Sequence, residues 1–200
     1  MEKYVVTISR QFGSMGRSIA QRLSDMLEID FLDRDLVEMT SKRMGLPVSM
    51  ISSEEEAVKA GFFGRMYPLG IGVPNLKDDI FEVQSNIIKD YVKKDSCIIV
   101  GRCAEYVLKD EPNKLNVYIY APFNERLNNC VNYLGMNEKD AKRIIREVDT
   151  ARENYHKLYV PKYTSPFDNR DICINSSKYG INGTAEILAT IINEKFIMKL

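Results

Sequence analysis

The sequence is poor in the residues that build metal and disulfide sites. It has a single histidine, His156, and no tryptophan, and its four cysteines, Cys97, Cys103, Cys130 and Cys173, form no CxxC pair. Zinc sites take clustered cysteine and histidine ligands, and disulfide frameworks take regularly spaced cysteines. We therefore expect neither. Unpaired thiols are typical of the reducing cytoplasm.

Net charge is also missing, because 28 basic residues cancel 28 acidic ones. A protein that binds nucleic acid usually carries a basic excess, so we expect no such partner. No apolar run approaches the roughly 20 residues that span a bilayer, and the N-terminus shows no signal-peptide pattern, so we expect no membrane partner. These absences favour a cytoplasmic protein that acts on small molecules, either as a monomer or as a homo-oligomer.

Short apolar segments alternate with helical patterns along the chain. The predicted strands lie near residues 4–8, 29–32, 97–100, 115–121 and 171–175. With 44% hydrophobic residues, a chain of 200 residues can bury one sizeable core. Such alternation predicts an α/β fold in three layers, with a five-stranded parallel sheet flanked by helices. We expect one domain over residues 1–200.

The helical patterns fall at residues 16–27, 36–44, 80–92, 137–157 and 184–198. The fourth is long and charged with a thin apolar stripe, so we expect this helix to project from the domain. Residues 46–76 are rich in glycine and proline and lack a clear period. This pattern predicts an inserted loop-like segment or a surface for a partner.

The first strand runs into a glycine-containing turn that nearly matches a phosphate-binding loop. On residues 11–18, the template GxxxxGK[ST] is matched by Gly16 and Ser18, whereas Gln11 replaces its first glycine and Arg17 its lysine. Arginine keeps the positive charge and offers a planar fork of donors to phosphate oxygens. An ordinary strand-to-helix turn with incidental glycines is the alternative.

In this loop, backbone N–H groups and the start of a helix would enclose phosphate oxygens. The predicted ATP-binding residues of the loop are Gly13, Ser14, Met15, Gly16, Arg17 and Ser18. The Ser18 hydroxyl is also placed to meet Mg²⁺.

Polar residues follow four of the predicted strands, at Ser9-Arg10, Asp33, Gly101-Arg102 and Asn175. In parallel sheets, ligands bind beyond the carboxyl ends of the strands. We therefore expect these residues to face one site. Asp33 has a second interpretation, as a cap for the helix that begins near Arg34.

Taken together, these segments resemble the cytidylate kinase-like group of P-loop nucleoside monophosphate kinases. The resemblance is carried by "ISRQFGSMGRSIAQRL" (8–23), "FLDRDL" (31–36), "IIVGRCAEYVL" (98–108), "YIYAPFNERL" (118–127) and "REVDTARENYHKLYVPKYTSPFDNRDICINSS" (146–177). It covers nearly the whole chain, with a loose match over 46–95. It implies the three-layer P-loop kinase fold, with a helical acceptor-binding insertion at about 35–95 and a lid at about 137–165.

The resemblance implies ATP-dependent phosphoryl transfer to a nucleoside monophosphate, with CMP or dCMP expected first and with Mg²⁺ required. Arg17 would hold the β- and γ-phosphates of ATP. Arg102 would grip the acceptor's phosphate, and Asp33 would bind the acceptor's sugar or orient water on the metal. Asn175 and the loop after it would surround the donor base, although a plain turn is an alternative.

The implied catalytic residues, besides Arg17, lie in the lid. Arg146, Asp149 and Arg152 recur every three residues along one helix. Both arginines would close over the phosphates, with Asp149 keeping them in register. Ordinary ion pairs on a solvated helix are the alternative. Asp168 would anchor the segment after the lid, and His156 is expected on the surface or in the lid.

Three positions depart from the family's pattern. Arg17 replaces the lysine, Cys103 an aspartate, and Tyr120 an acidic residue. The last two positions lie near the acceptor in the family. These departures leave two alternatives open: a P-loop kinase for a different small acceptor, and a nucleotide-binding protein without turnover.

Overall fold

The computed structural model describes residues 2–51 and 76–197. Its centre is a sheet of five parallel strands in the order β2-β3-β1-β4-β5. The strands are β1 (Val5–Arg10), β2 (Asp30–Leu32), β3 (Cys97–Val100), β4 (Lys114–Tyr120) and β5 (Ile172–Asn175). This order confirms the predicted parallel sheet and places β1 at its centre, where ligands bind in such folds.

Helices flank the sheet as predicted. They are α1 (Gly16–Leu27), α2 (Asp35–Met44), α3 (Leu76–Val92), α4 (Ala104–Val107), α5 (Phe123–Asn132), α6 (Glu138–Tyr159) and α7 (Gly180–Ile192), with a π-helical turn at Asn193–Ile197. Helices α3 and α7 begin four residues earlier than predicted. Most of the predicted irregular segment 46–76 lies outside the described residues. No described helix combines the length and apolarity needed to cross a bilayer.

One face of the sheet carries a large apolar core. Buried residues from the strands pack against α1 and α7 there, and they include Val6, Ile8, Ile98, Val117, Ile119, Ile19, Leu23, Ala185 and Leu188. A strand covered by helices buries alternate residues against each layer. The apolar stripe of α1 therefore fixes the helix, and with it the loop 11–15, over the end of β1.

The opposite face changes character from one edge to the other. Near β2 and β3 it is apolar, where Leu32, Cys97 and Ile99 pack against Leu36 of α2 and Ile88 of α3. Toward β4 it becomes polar. This half is covered by residues from α4, α6 and the segment before β5.

A buried carboxylate, Glu105, is at the centre of this polar half. Its Oε1 lies 2.9 Å from His156 Nε2 and accepts a hydrogen bond from Arg170 Nη2 at 3.0 Å, while Ser9 Oγ contacts Oε2 at 3.5 Å. Burial raises the pKa of Glu105, but the contacts from His156 and Arg170 outweigh burial and lower this pKa to about 2. The network joins β1, α4, α6 and the segment before β5.

Of the two positions expected for His156, the surface and the lid, the structure contradicts only the surface, because His156 is enclosed on α6. Its side chain is only 12% exposed, and its Nδ1 lies 2.9 Å from the Arg152 carbonyl oxygen. Glu105, Cys103 and His156 lie close enough to share a metal ion. Because the carboxylate already pairs with the cationic Arg170, an ion-pair network accounts for the cluster.

Helix α6 does not project from the domain as its charge predicted. Four of its residues are buried, and two of them, Ala141 and Ile145, pack around Cys130 of α5. A narrow apolar stripe is enough to pack α6 against the domain, because only one side of this helix faces the domain. The charged residues cover its outer side.

We expect the packing of α1 on the apolar face of the sheet to contribute strongly to stability. Leu23 is fully buried, so Leu23→Ala should lower the free energy of unfolding by about 2–5 kcal/mol, measured by urea denaturation. Arg22→Ala, at the exposed neighbouring position, should change it by less than about 0.5 kcal/mol. Equal effects of the two substitutions would contradict this packing.

We expect the Glu105 network to make stability depend on pH. Since the folded-state pKa of Glu105 lies below its ordinary value of 4.5, the carboxylate stabilises the fold above that value, and this contribution is lost as the pH falls toward about 2. Glu105→Gln should cost about 3–5 kcal/mol at pH 7. The difference in the free energy of unfolding between wild type and Glu105→Gln, measured in urea, should become steadily smaller from about pH 5 to about pH 3.

The matched control for this pH series is Glu153→Gln. Glu153 is exposed on α6 and pairs with Lys157 on the helix surface, so its effect should stay below about 1 kcal/mol at every pH. If the difference in unfolding free energy between wild type and Glu105→Gln did not vary with pH, the charge of this carboxylate would not contribute to stability.

Candidate active site

The loop between β1 and α1 takes a conformation that depends on its glycines. Gly13 has φ +77°, and a Cβ there would meet the Arg126 carbonyl oxygen at 2.8 Å. Gly16 begins α1, and a Cβ on it would lie 2.7 Å from Arg10 Cβ. Met15 has φ +60°, a left-handed conformation that costs a non-glycine residue about 1 kcal/mol. The chain therefore bends sharply where the sequence predicted a phosphate loop.

This bend exposes the N-terminus of α1. The N-cap residue Met15 makes no side-chain cap, so the first N–H groups of the helix have no partner from that side chain. Arg17 and Ser18 are both exposed on the first turn. Free N–H groups and the helix dipole favour an anion at this position.

Two helices hold the loop from outside. The Phe12 N–H donates to Asp149 Oδ1 at 2.8 Å, while the Phe12 carbonyl accepts from Arg126 Nη1 at 3.0 Å. Arg126 and Asp149 also form an ion pair at 2.5 Å. Asn129 Nδ2 donates to the Gly13 carbonyl at 2.9 Å. Helices α5 and α6 thus fix both polar groups of the Phe12 residue.

These contacts correct the role expected for Asp149. It pairs with Arg126 and the loop backbone, and of the two lid arginines its charge acts on Arg152. The Arg146 guanidinium lies 5.6 Å from the centroid of the Phe123 ring. Only Arg152 of the two reaches the end of β1, where its Nη1 donates to the Arg10 carbonyl at 2.9 Å.

Four arginines gather where the strands end. Arg17 Nε donates to Asp33 Oδ2 at 2.6 Å, and Arg10 Nη2 lies 3.7 Å from Asp33 Oδ1. Burial lowers the pKa of Arg10, as do the charges of Arg152, Arg102 and Arg17, whereas Asp33 raises it. Asp33 contacts two of these guanidiniums, and Asp149 is a second carboxylate whose charge acts on Arg152. Positive charge remains in excess, which suits a polyanionic ligand.

Asp33 therefore does not cap the next helix. The N-cap of α2 is Arg34, which makes no side-chain cap, and the Asp33 carboxylate faces Arg17 and Arg10 instead. An open cleft of about 430 Å³ adjoins this pair, lined in part by Arg17, Asp33, Arg34 and Phe31.

The turn after β3 carries backbone strain. Gly101, Arg102 and Cys103 all have positive φ, at +81°, +59° and +50°. Two consecutive non-glycine residues in this region are uncommon and often mark a binding site. Cys103 is buried, and burial raises the pKa of its thiol, so this residue cannot supply the negative charge of the aspartate it replaces.

The segment expected to surround the donor base lies against the loop. Asn175 Oδ1 accepts from the Ser177 N–H at 3.2 Å and caps a short 3₁₀ turn. Ser176 Oγ donates to the Ser14 carbonyl at 2.8 Å. Nearby, Phe167 packs edge-on against Tyr120. Asp168 Oδ2 accepts from the Thr164 and Ser165 N–H groups and closes a local turn.

Two residues of the site were not assigned a role from the sequence. Arg10 was noted only as a polar residue at a strand end, and Arg126 only as part of a motif after β4. The available signal for Arg10 was a charged residue directly after a buried apolar strand. For Arg126 it was a single arginine on a helix that begins beside the predicted site.

A family model described as the cytidylate kinase-like family matches residues 5–178. A comparison with curated proteins found no match. Among solved structures, an uncharacterized protein from Eubacterium ventriosum ATCC 27560 is similar, with a TM-score of 0.71 and 23% identity over 96% of this chain and 99% of that one.

Two kinases of known class share the fold at lower similarity. Shikimate kinase from Acinetobacter baumannii gives a TM-score of 0.54 at 12% identity, over 97% of this chain and 96% of that one. A sugar kinase from Janibacter sp. HTCC2649 gives 0.55 at 14% identity, over 94% of each chain. Since the family model spans most of the sequence, this chain belongs to the cytidylate kinase-like family and has the three-layer P-loop kinase fold.

Proposed function

We propose that this protein transfers the γ-phosphoryl group of Mg-ATP to a nucleoside monophosphate, with CMP or dCMP as the first candidates. The observation that carries the proposal is the cluster of Arg10, Arg17, Arg102 and Arg152 beside the phosphate loop, where Asp33 pairs with Arg17 and Arg10. A phosphate oxygen of the acceptor attacks the γ-phosphorus, the bond to the β-phosphate oxygen breaks, and ADP leaves with a nucleoside diphosphate as product.

The loop would hold the donor. Its backbone N–H groups and the N-terminus of α1 favour the triphosphate, and Arg17 adds positive charge on the first turn. The Ser18 hydroxyl is exposed on the same turn and fits Mg²⁺, which binds few protein groups beside phosphate oxygens. Bound there, the ion would neutralise phosphate charge. Asn175 and the turn after it would contact the base.

The acceptor would bind on the β2 and β3 side of the loop. Arg102 follows β3 in the strained turn, and Asp33 follows β2 beside the open cleft. We propose that residues 35–95, which include α2 and α3, form the acceptor-binding insertion. Residues 137–165, which include α6, would form the lid.

Phosphoryl transfer requires alignment and positive charge more than covalent chemistry from the protein. Arg152 already lies at the end of β1 and would neutralise charge on the transferred group. Asp149 would act by holding the loop that binds the donor. Arg146, now over Phe123, would join the phosphates only when the lid closes.

The described thiols agree with the proposed compartment. Cys97, Cys103, Cys130 and Cys173 are all unpaired, as is usual in a reducing environment. We propose that the reaction takes place in the cytoplasm, with small-molecule nucleotides as partners.

A second candidate function keeps the fold and changes the acceptor. Cys103 brings a neutral thiol to a position where the family has an aspartate, and the fold is shared with a shikimate kinase in complex with shikimate and with a sugar kinase. A small non-nucleotide acceptor would then occupy the same cleft.

We expect ADP release from Mg-ATP to depend on a nucleoside monophosphate. The test is a coupled ADP-release assay with CMP, dCMP, UMP, AMP and GMP, together with shikimate and simple sugars. Turnover with CMP or dCMP supports the proposal, and turnover only with a non-nucleotide supports the second candidate. ATP binding without any product would contradict both and indicate a non-catalytic nucleotide-binding protein.

We expect Arg152→Ala to lower kcat by about 10²-fold with little change in ATP affinity, because the group acts mainly on charge that develops in the transition state. Steady-state kinetics and calorimetric titration of ATP measure the two effects. Arg143→Ala is the matched control, since Arg143 is exposed on α6 and pairs with Glu147. Normal turnover by a folded Arg152→Ala protein would remove this residue from the mechanism.

A further inference from the structure

Arg10 occupies a slot that two glycines leave open. As the last residue of β1, it extends past Gly16 and across the ends of the neighbouring strands. A Cβ on Gly16 would lie 2.7 Å from Arg10 Cβ, and a Cβ on Gly101 would lie 2.5 Å from Arg10 Nη1. The guanidinium thus lies between the end of β3 and Asp33 at the end of β2. A side chain on either glycine would displace it.

Two other buried arginines, Arg126 and Arg170, show what a structural arginine looks like. Arg126 donates to the carbonyl oxygens of Ala121 and Phe12 and pairs with Asp149. Arg170 donates to the Pro166 carbonyl oxygen and pairs with Glu105. Each of them has a carboxylate at 3.0 Å or less together with backbone acceptors.

Arg10 differs from both. Among the described residues its only ion pair is with Asp33, at 3.7 Å, which is too long for a hydrogen bond. Asp33 is held more closely by Arg17, at 2.6 Å, and the nearby Asp149 is already paired with Arg126. Arg152 and Arg102 add positive charge around Arg10. The Arg10 side chain is 17% exposed, so a ligand can reach it.

The slot also has a direction. The phosphate loop and the N-terminus of α1 lie on one side of it, at Gly16, and favour the donor's phosphates. The Arg10 guanidinium lies away from that helix, beside Gly101 at the end of β3 and Asp33 at the end of β2. These two strands are connected to α2 and α3. An anion bound to the guanidinium would therefore belong to the acceptor.

We propose that Arg10 binds an anionic group of the acceptor beside Arg102, which makes Arg10 a further acceptor-binding residue. This inference rests on the proposed function and adds a residue to the same site. A dianion supplies the negative charge that one shared carboxylate does not. Asp33 would limit the affinity by competing for the guanidinium.

Calorimetric titration of inorganic phosphate tests the proposal without turnover. The protein is titrated both alone and saturated with a non-hydrolysable Mg-ATP analogue, so that the second titration reports the acceptor side. Arg10→Gln should weaken phosphate binding by about tenfold or more, because a contact to a charged group is lost. The affinity of Arg10→Gln for the Mg-ATP analogue should change by less than about threefold. Arg22→Gln, on the exposed side of α1, should match wild type in both.

A second variant should move the affinity the other way. Asp33→Asn removes the competing carboxylate, so phosphate should bind about fivefold more tightly. This opposite shift keeps the proposal testable even where Arg10→Gln is too unstable to titrate. Inorganic phosphate has no sugar, so any contact of Asp33 with an acceptor's sugar does not enter the measurement.

Several results would overturn the proposal. They are phosphate affinity unchanged in folded Arg10→Gln, weaker phosphate binding by Asp33→Asn, a loss confined to the ATP analogue, and no phosphate binding by wild type. Failure of wild type to phosphorylate any compound in the ADP-release assay would count against the proposed function instead. Because binding is measured separately from turnover, the two failures are distinguishable.

Discussion

The carboxylate of Asp33 faces two guanidiniums, those of Arg17 and Arg10, with Arg152 and Arg102 close behind. Four like charges repel one another, and this repulsion must be opposed by the rest of the structure. The parallel sheet does so by bringing the ends of β1, β2 and β3 to one edge, and helix packing fixes each arginine's backbone. A site held in this way is prepared for a polyanion before one arrives.

The same need explains the contacts around the phosphate loop. The loop has to keep its N–H groups turned toward the ligand, so its other polar groups are bound from behind by Arg126, Asp149 and Asn129. Through Asp149, helix α6 is linked to the loop at one turn, and through His156 it is linked to the buried Glu105 two turns later. Helix α6 is therefore held to the rest of the domain at both of these turns.

Much of the fold was predictable from local sequence patterns. Apolar runs such as 97–100 identify buried strands, and glycines at 13 and 16 identify the loop, because each pattern is decided by residues close together in the chain. The roles of Asp149 and Asp33 were not predictable in this way. Asp149 pairs with a residue 23 positions earlier and with a loop 137 positions earlier, and the spacing along its own helix gave no sign of either.

By itself, the sequence determined the strand and helix alternation, the phosphate loop with its arginine, and the family to which the chain belongs, since all of these are properties of contiguous segments. Only the tertiary structure decided which charged groups meet. The strand order placed Asp33, from the end of β2, within reach of an arginine on β1, although β3 lies between these strands in the sheet. It also gave Arg146 and Arg152, six residues apart on α6, different surroundings, because Phe123 of α5 lies beside the first and the end of β1 beside the second.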